Sequence, residues 1–256
     1  MDNAKFFHIP MNKLKRAHNH SASTHATVQD CLFLSLVVLL SLVLYVSSLG
    51  FYSDDWAFLG WFSMSTDHRI SALFHSVYSP QVAMRPLEVL YKVMLYWLFG
   101  PHPLGYHLLN AAILVSTILL FYLVLLELGI SRIFCLSVPL VYGLLPHYST
   151  NRFWVSGSVV VLSMALYFFS LYSDLRAVRA YPVRIYSWKL LSILSLLGSI
   201  LAYEVVLPLF FLNGLLVWYR GQISHRPTLG KPWTRAGLSF LVGINILMTI
   251  PVVVFK

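Results

Sequence analysis

The apolar stretch CLFLSLVVLLSLVLYVSSLG, residues 31–50, runs directly into FYSDDW, residues 51–56. The first part carries no charge and has about the 20 apolar residues that cross a bilayer. Two adjacent carboxylates, Asp54 and Asp55, follow where the apolar run ends, in a chain that holds only nine Asp and Glu residues. Because ionised groups are costly inside a bilayer, this pair marks a membrane boundary and a candidate site at the membrane surface.

The composition of the chain is that of a polytopic membrane protein. Its 256 residues are 58% hydrophobic and 11% charged, with a mean hydropathy of +0.74, whereas soluble domains are about half apolar and a quarter charged. The length allows about seven spans and no large soluble domain. The formal net charge of +9 comes from Lys and Arg between apolar runs, which is typical of cytosolic loops and does not indicate a nucleic-acid partner.

Successive apolar runs predict the order of the spans. Residues 1–30 are polar and basic and are expected to form a disordered cytosolic tail, while residues 31–256 form one transmembrane module. The 190–219 segment is broken by Glu204 and Pro208 and is expected to form two short helices, with a re-entrant hairpin as the alternative. The other expected spans are 31–50, 106–128, 133–145, 153–172 and 236–255.

The first outer loop is expected over residues 51–105, and its aromatic residues favour helices that lie in the interface. Residues 87–99 are apolar but short, and they include Glu88 and Lys92. Basic clusters in the tail, in 174–189 and in 220–235 should share the cytosolic face, so an even number of spans must separate each pair. This condition keeps 87–99 on the outer side. It also gathers one set of polar residues at the outer face: Asp54, Asp55, Arg85, His107, Arg152 and Glu204.

An ordered set of short motifs resembles a known family. The acidic pair is followed by RPL at 85–87, LFG at 98–100, GYHLLN at 105–110, LPH at 145–147, FWVSG at 153–157, YE at 203–204 and LP at 207–208. This order, over residues 31–220, resembles the GT-C glycosyltransferases, and most of all the polyprenyl-phosphate-sugar-dependent transferases and the protein O-mannosyltransferase branch. The resemblance implies an all-α membrane bundle with a catalytic Asp in its first outer loop.

The same resemblance implies the substrates and the location. The donor would be a polyprenyl-phosphate-linked sugar, the acceptor a lipid, a glycan or a protein, and membrane lipids would surround the chain. The bacterial plasma membrane is expected rather than the endoplasmic reticulum. Members of the family usually continue well beyond 256 residues, so a truncated or minimal member is expected. The loop at 149–152 also lacks the acidic residue that many relatives carry there.

The acidic pair can supply the base for such a reaction. Sugar transfer to a hydroxyl requires a base for the acceptor proton, and a carboxylate commonly serves. Adjacent residues on a helix point about 100° apart, so only one of the two can face the reaction centre. We assign Asp54 as the base and Asp55 as the residue that orients it or contacts a metal. The alternative is that the pair only caps a helix at the end of a span.

Other outer residues could bind the substrates. Arg85 is the first candidate for the phosphate because its planar fork matches phosphate oxygens, and Arg152 is the second; both could instead be interface anchors. His107 lies at a helix start, which favours anions, and a structural histidine is the alternative. Glu204 lies inside an apolar hairpin, where an ionisable group suggests function, unless the turn makes it a surface carboxylate. Trp56 could stack on a sugar or anchor the interface.

The sequence assigns no metal site, since no recognised ligand spacing is present. A divalent cation held by the acidic pair or by outer histidines is weighed as an alternative, and carboxylate ligands would then favour Mg²⁺ or Mn²⁺. The histidines concerned are His68, His75, His102 and His147.

Two other functions compete with the enzyme. A non-catalytic lipid-phosphate-binding or flippase subunit would keep the bundle without the chemistry. A transporter would have an internal repeat and polar residues at mid-membrane, and the sequence has no evident repeat.

Overall fold

The computed structural model describes residues 11–77, 84–145, 152–179 and 182–223, with the single residues Gly243, Ile244 and Leu247. Every regular element in this part of the chain is helical, which confirms the predicted all-α class. The helices are α1 Met11–Val43, α2 Asp54–Met64, α3 Ile70–Val77, α4 Pro86–Phe99, α5 Pro103–Leu128, α6 Arg132–Leu144, α7 Ser158–Arg179, α8 Pro182–Ala202 and α9 Leu209–Ile223.

Four helical segments are long and apolar enough to cross a membrane: His25–Val43, Pro103–Leu128, Ser158–Val178 and Arg184–Ala202. This makes the chain a helical membrane protein. The other two predicted spans that the structure describes are shorter, since α6 has 13 residues and α9 has 15. The last predicted span, 236–255, lies outside the described residues apart from three positions, so the count of seven stays a prediction.

The first helix corrects the sequence prediction at both ends. Residues 11–30, expected to be disordered, are helical, and α1 ends at Val43 rather than near residue 50. Asp30, the last residue of the predicted tail, lies within this helix. Its carboxylate is buried and accepts hydrogen bonds from Nε of Arg132 at 2.9 Å and from the hydroxyl of Tyr122 at 2.8 Å. A charge that is paired in this way can lie within a helix. Residues 1–10 lie outside the described part.

The basic segment 174–189 also differs from its prediction as a loop, because α7 continues to Arg179 and α8 begins at Pro182. Ion pairs between helices accommodate its charges. The ammonium of Lys189 is 2.9 Å from Asp174, with both residues buried, and Arg176 is 3.1 Å from Glu127. The break near Glu204 is confirmed: α8 ends at Ala202, a 3-10 turn covers Glu204–Val206, and α9 begins directly after Pro208.

Three apolar clusters hold the helices together. One joins α5, α7, α8 and α9 through residues such as Phe168, Leu196 and Phe210. A second joins α2, α3 and α4 to the start of α5 through Phe62 and Tyr106, among others. The third lies between α1, α5 and α6. Many large apolar side chains of α1 remain exposed, which suits a helix that faces lipid.

The bundle has two polar ends. We call one the Asp55 end; it comprises the end of α1, the starts of α2, α5 and α7, helix α4, and the turn after α8. The opposite end, which we call the Asp30 end, carries the pairs of Asp30 with Arg132, of Glu127 with Arg176 and of Asp174 with Lys189.

Close packing of α5 on α6 gives a first testable prediction. A Cβ built on Gly143 would lie 2.4 Å from Cδ1 of Ile118, whereas one built on Gly60 meets nothing within 4 Å. We expect Gly143→Ala to destabilise the protein by about 1–3 kcal/mol through overpacking. Adding Ile118→Val to the Gly143→Ala protein should restore most of the lost stability, because this second change removes the Cδ1 methyl group. Thermal unfolding in detergent measures both. A Gly143→Ala protein as stable as the Gly60→Ala control would contradict the packing.

Candidate functional site

Asp55 is a buried anchor at the start of α2. Its side chain is fully buried, and Oδ1 accepts hydrogen bonds from the backbone N–H of Ser156 at 2.8 Å and from the Ser156 hydroxyl at 2.7 Å. Oδ2 accepts from the backbone N–H of Tyr52 at 3.0 Å. Hydrogen bonds to a charged group are about twice as strong as neutral ones. This carboxylate therefore fastens the turn before α2 to the segment that leads into α7.

The turn before α2 is strained, and Asp55 closes it. Ser53 has φ +44° and ψ −116°, and it is the one non-glycine residue with positive φ in the described part. Such a conformation costs about 1–3 kcal/mol and persists where surrounding contacts determine it. The backbone N–H of Asp55 donates to the carbonyl of Tyr52 at 2.9 Å. Tyr52 and Asp55 are thus joined by two hydrogen bonds, since the backbone N–H of Tyr52 donates to the Asp55 carboxylate.

Asp54 has the opposite environment. It is the first residue of α2 and is exposed, and its Oδ1 accepts a hydrogen bond from the Ser53 hydroxyl at 3.1 Å. The two neighbouring carboxylates thus face different surroundings, one buried and bonded, the other open. Their catalytic roles stay predictions.

Arg85 and Glu204 form an ion pair at this end of the bundle. Nε of Arg85 donates to Oε2 of Glu204 at 2.9 Å, and Nη2 donates to Oε1. The guanidinium also lies 4.1 Å from the centre of the Tyr203 ring. The hydrogen bonds that Arg85 donates to the Glu204 carboxylate raise the pKa of Arg85. Two parallel hydrogen bonds to one carboxylate hold the guanidinium in a defined orientation and also stabilise its positive charge.

The ion pair continues along α4. Glu88 lies 3.6 Å from Nη1 of Arg85, and its Oε1 accepts a hydrogen bond from Lys92 at 2.7 Å. The Lys92 ammonium lies 5.2 Å from the centre of the Phe58 ring in α2. Arg85 and Lys92 carry two positive charges that match the negative charges of Glu88 and Glu204. Together these side chains join the start of α4 to the turn after α8.

His107 is buried near the start of α5. Its Nε2 is 3.0 Å from the carbonyl oxygen of Gly50, and its Nδ1 is buried without a hydrogen-bond partner among the described residues. One turn further along, Nδ2 of Asn110 donates to the carbonyl of Arg152 at 3.3 Å. Residues three apart are neighbours on a helix surface, so α5 is bonded to the segment before α7 one turn from His107.

Arg152 is half-buried and has no ionic partner among the residues that the structure describes. Its Nη2 donates to the hydroxyl of Ser41, while its Nε and the Nε1 of Trp154 are buried without partners in the described part. That part contains all the acidic residues except Asp2, and none of them pairs with Arg152. Burial lowers the pKa of Arg152, but a guanidinium stays protonated in proteins. Each unsatisfied buried group costs about 1–3 kcal/mol.

Trp56 lies on the surface of α2. Its side chain is 61% exposed, and its Nε1 donates to the carbonyl of Phe51 at 3.0 Å. This placement suits an interface anchor, and stacking on a sugar stays a prediction.

The structure therefore brings the predicted residues to one end but into separate groups. Asp55 joins Ser156, Arg85 joins Glu204, and His107 contacts the carbonyl of Gly50. The partners Ser156 and Ser41 were missed by sequence reasoning. Ser156 belongs to the quoted FWVSG motif, yet a motif does not reveal that its serine bonds to a residue 101 positions earlier.

No three potential metal ligands lie together among the described residues. Two of the outer histidines lie against different aromatic rings, His68 at 6.1 Å from Tyr96 and His75 at 6.0 Å from Phe74. His147 lies outside the described residues. A bound Mg²⁺ or Mn²⁺ stays an untested prediction.

Comparisons with protein families, with curated proteins and with solved structures give no significant match for this chain. The resemblance to the GT-C glycosyltransferases thus depends on the ordered motifs.

Proposed function

We propose that the chain is a GT-C-like membrane glycosyltransferase, which moves a sugar from a polyprenyl-phosphate donor to a hydroxyl of a lipid, glycan or protein acceptor. The observation that carries this proposal is the division within the acidic pair: Asp55 is buried and bonded, and Asp54 is exposed beside it. Asp55 fixes the start of α2, and the exposed Asp54 beside it is open to an acceptor hydroxyl, as a general base must be.

The proposed reaction inverts the configuration of the sugar. The acceptor oxygen attacks the anomeric carbon while the bond from that carbon to the phosphate oxygen breaks. The phosphate leaves on the lipid with the bonding electrons, and the acceptor proton passes to the carboxylate of Asp54. Asp55 holds the start of α2 through Ser156 and Tyr52, so Asp54 stays in place while it accepts the proton.

The departing phosphate requires positive charge or hydrogen-bond donors nearby. Arg85 is the candidate from the sequence, and its bonds to Glu204 keep it oriented. The charge of Arg85 is already matched by this carboxylate, so it contributes orientation more than net charge. Arg152 supplies unmatched positive charge at the same end.

The proposed orientation places the Asp55 end outside. The basic residues of the tail and of the segments 174–189 and 220–235 are expected on the cytosolic side, and the second of these lies at the Asp30 end. Transfer would then take place on the outer face, in a bacterial plasma membrane rather than the endoplasmic reticulum.

A transfer assay tests the role of Asp54. We expect Asp54→Asn to reduce the rate by at least about 100-fold, the lower end of what general base catalysis contributes, while the melting temperature stays unchanged because the side chain is exposed. The assay uses the full chain in nanodiscs, a polyprenyl-phosphate hexose and a membrane extract as acceptor. Asp67→Asn is the matched control, since Asp67 lies between α2 and α3 and forms an exposed local pair with Arg69. An Asp54→Asn rate equal to that of the control would refute the assignment.

A lipid-phosphate-binding subunit without transfer activity is the second candidate. It is favoured by the surroundings of Asp54, whose side chain is hydrogen-bonded to Ser53 and to no other side chain in the described part. A catalytic base is commonly oriented by a further titratable group. Tight binding of the polyprenyl-phosphate hexose with no turnover by the purified chain would select this candidate.

A further inference from the structure

Three buried polar atoms at the Asp55 end lack partners among the described residues: Nδ1 of His107, Nε of Arg152 and Nε1 of Trp154. His107 is 2% exposed. Buried polar groups in native proteins are nearly always hydrogen-bonded, so an unpaired one calls for a ligand, a water or a functional reason. Three in one region point to a common occupant.

The chain brings these groups into one region. The carbonyl of Arg152 is bonded to Asn110, which lies one turn from His107 on the same face of α5. The other end of the segment is fixed by Ser156, which is bonded to Asp55. Trp154 lies between these two attachments. The 152–156 segment is therefore tied to α5 one turn beyond His107, and to the start of α2 through Asp55.

The hydrogen-bonding character of the three atoms is defined. The carbonyl of Gly50 can only accept, so Nε2 of His107 must carry the hydrogen. In the neutral ring, Nδ1 is then an acceptor, and it needs a donor such as a hydroxyl. The Nε of Arg152 and the Nε1 of Trp154 can only donate. The occupant must therefore offer both a hydroxyl hydrogen and acceptor oxygens.

The charges at the Asp55 end indicate that the acceptor group of the occupant is an anion. Arg85 is bonded through two nitrogens to Glu204 and lies near Glu88. Arg152 has no carboxylate partner in the described part and is half-buried. An unmatched guanidinium in such a place favours an anion, and its geometry suits phosphate oxygens.

We propose that His107, Arg152 and Trp154 bind the sugar-phosphate head of the donor. Arg152 and Trp154 donate to a phosphate oxygen, and His107 accepts from a hydroxyl of the sugar. The identity of this ligand depends on the proposed function, and the phosphate contact moves from Arg85, the candidate from the sequence, to Arg152. Arg85 then acts as a positioning residue between α4 and the turn after α8.

Binding measurements on the full chain in nanodiscs test this site with three probes: a polyprenyl-phosphate hexose, the same polyprenyl phosphate without sugar, and the free polyprenol. We expect Arg152→Gln to weaken binding of both phosphates at least tenfold and to leave the polyprenol unaffected. Trp154→Phe keeps an aromatic ring but removes the N–H, so we expect it to weaken both phosphates severalfold. We expect His107→Gln, whose amide can still donate to Gly50, to weaken only the sugar-bearing probe.

Arg69→Gln is the control, because it removes an exposed cation from the first outer segment, and it should leave all affinities unchanged. Arg152→Lys keeps the charge without the Nε donor and serves if Arg152→Gln does not fold; we expect it to weaken both phosphates. Unchanged phosphate affinity in the folded Arg152 and Trp154 variants would overturn the site, and so would a loss confined to Arg85→Gln. Binding that follows the proposal in a chain without turnover would uphold the site and reject the transferase. Sugar transfer by the chain, with unaltered phosphate affinities in the Arg152 and Trp154 variants, would uphold the transferase and reject the site.

Discussion

Asp55→Ala is expected to lower the free energy of unfolding by about 3–5 kcal/mol and to abolish sugar transfer. The mutation removes three hydrogen bonds to a buried carboxylate, from Tyr52 and from two groups of Ser156, and bonds to a charged group contribute about 1.5–3 kcal/mol each. It also leaves the two backbone N–H groups without their partner. The strained turn at Ser53 then loses the contact that closes it. Unfolding in mixed detergent micelles measures the loss.

Variants with different expected losses of stability distinguish the buried Asp55 from the exposed Asp54. Asp54→Ala should change the stability by no more than about 0.5 kcal/mol, as exposed substitutions usually do. Ser156→Ala removes one hydroxyl donor and should cost about 1–3 kcal/mol. Asp55→Asn should fall between Ser156→Ala and Asp55→Ala, because an amide oxygen can still accept from Ser156 while its NH₂ group cannot accept from Tyr52. Equal stability of Asp55→Ala and Asp54→Ala would show that the buried anchor does not form.

The acidic pair shows what sequence reasoning can and cannot predict. Helical periodicity predicts that Asp54 and Asp55 point in different directions. It does not predict which one is buried, because that depends on Ser156, which is 101 residues away in the chain. The pairing of Arg85 with Glu204 is likewise not predictable from local periodicity, because the two residues are 119 positions apart in the chain. Charge bias placed both residues on one membrane face, but the contact between them is a property of the packed helices.

Charged residues near span ends misled the prediction for a related reason. The sequence predicts a tail over residues 1–30 and a basic segment between spans over 174–189, whereas α1 begins at Met11 and α7 continues to Arg179. In each case a partner on another helix compensates the charge, as Arg132 does for Asp30 and Lys189 for Asp174. Hydropathy values cannot register such compensation, since they describe each residue alone. The uncharged boundaries were predicted well: α5 begins at Pro103 and ends at Leu128, next to a left-handed Gly129.

The buried pair of Asp174 and Lys189 gives the second large effect. Lys189→Met is expected to destabilise the protein by about 3–5 kcal/mol, because removal of one partner leaves the other charge buried without it. The ammonium and the carboxylate are 2.9 Å apart, with exposed fractions of 6% and 2%. Replacement of both, as in Asp174→Leu with Lys189→Met, should restore most of the stability, since a buried ion pair can be exchanged for apolar residues of similar volume. Arg184→Met, an exposed change on the same helix, is the control.

The position of this pair explains why it is formed at all. It continues a row of polar contacts between α7 and α8, in which Ser170 lies 3.1 Å from Ser192 and the hydroxyl of Ser199 donates to the carbonyl of Ser163 at 2.8 Å. These contacts share one antiparallel register, and a shift of one residue would break them together. The double variant should therefore keep the fold through the serines, with a coupling energy of several kcal/mol between the two sites. If the single and double variants were equally stable, α7 and α8 would not be joined here, and the sequence prediction of a loop at 174–189 would be restored.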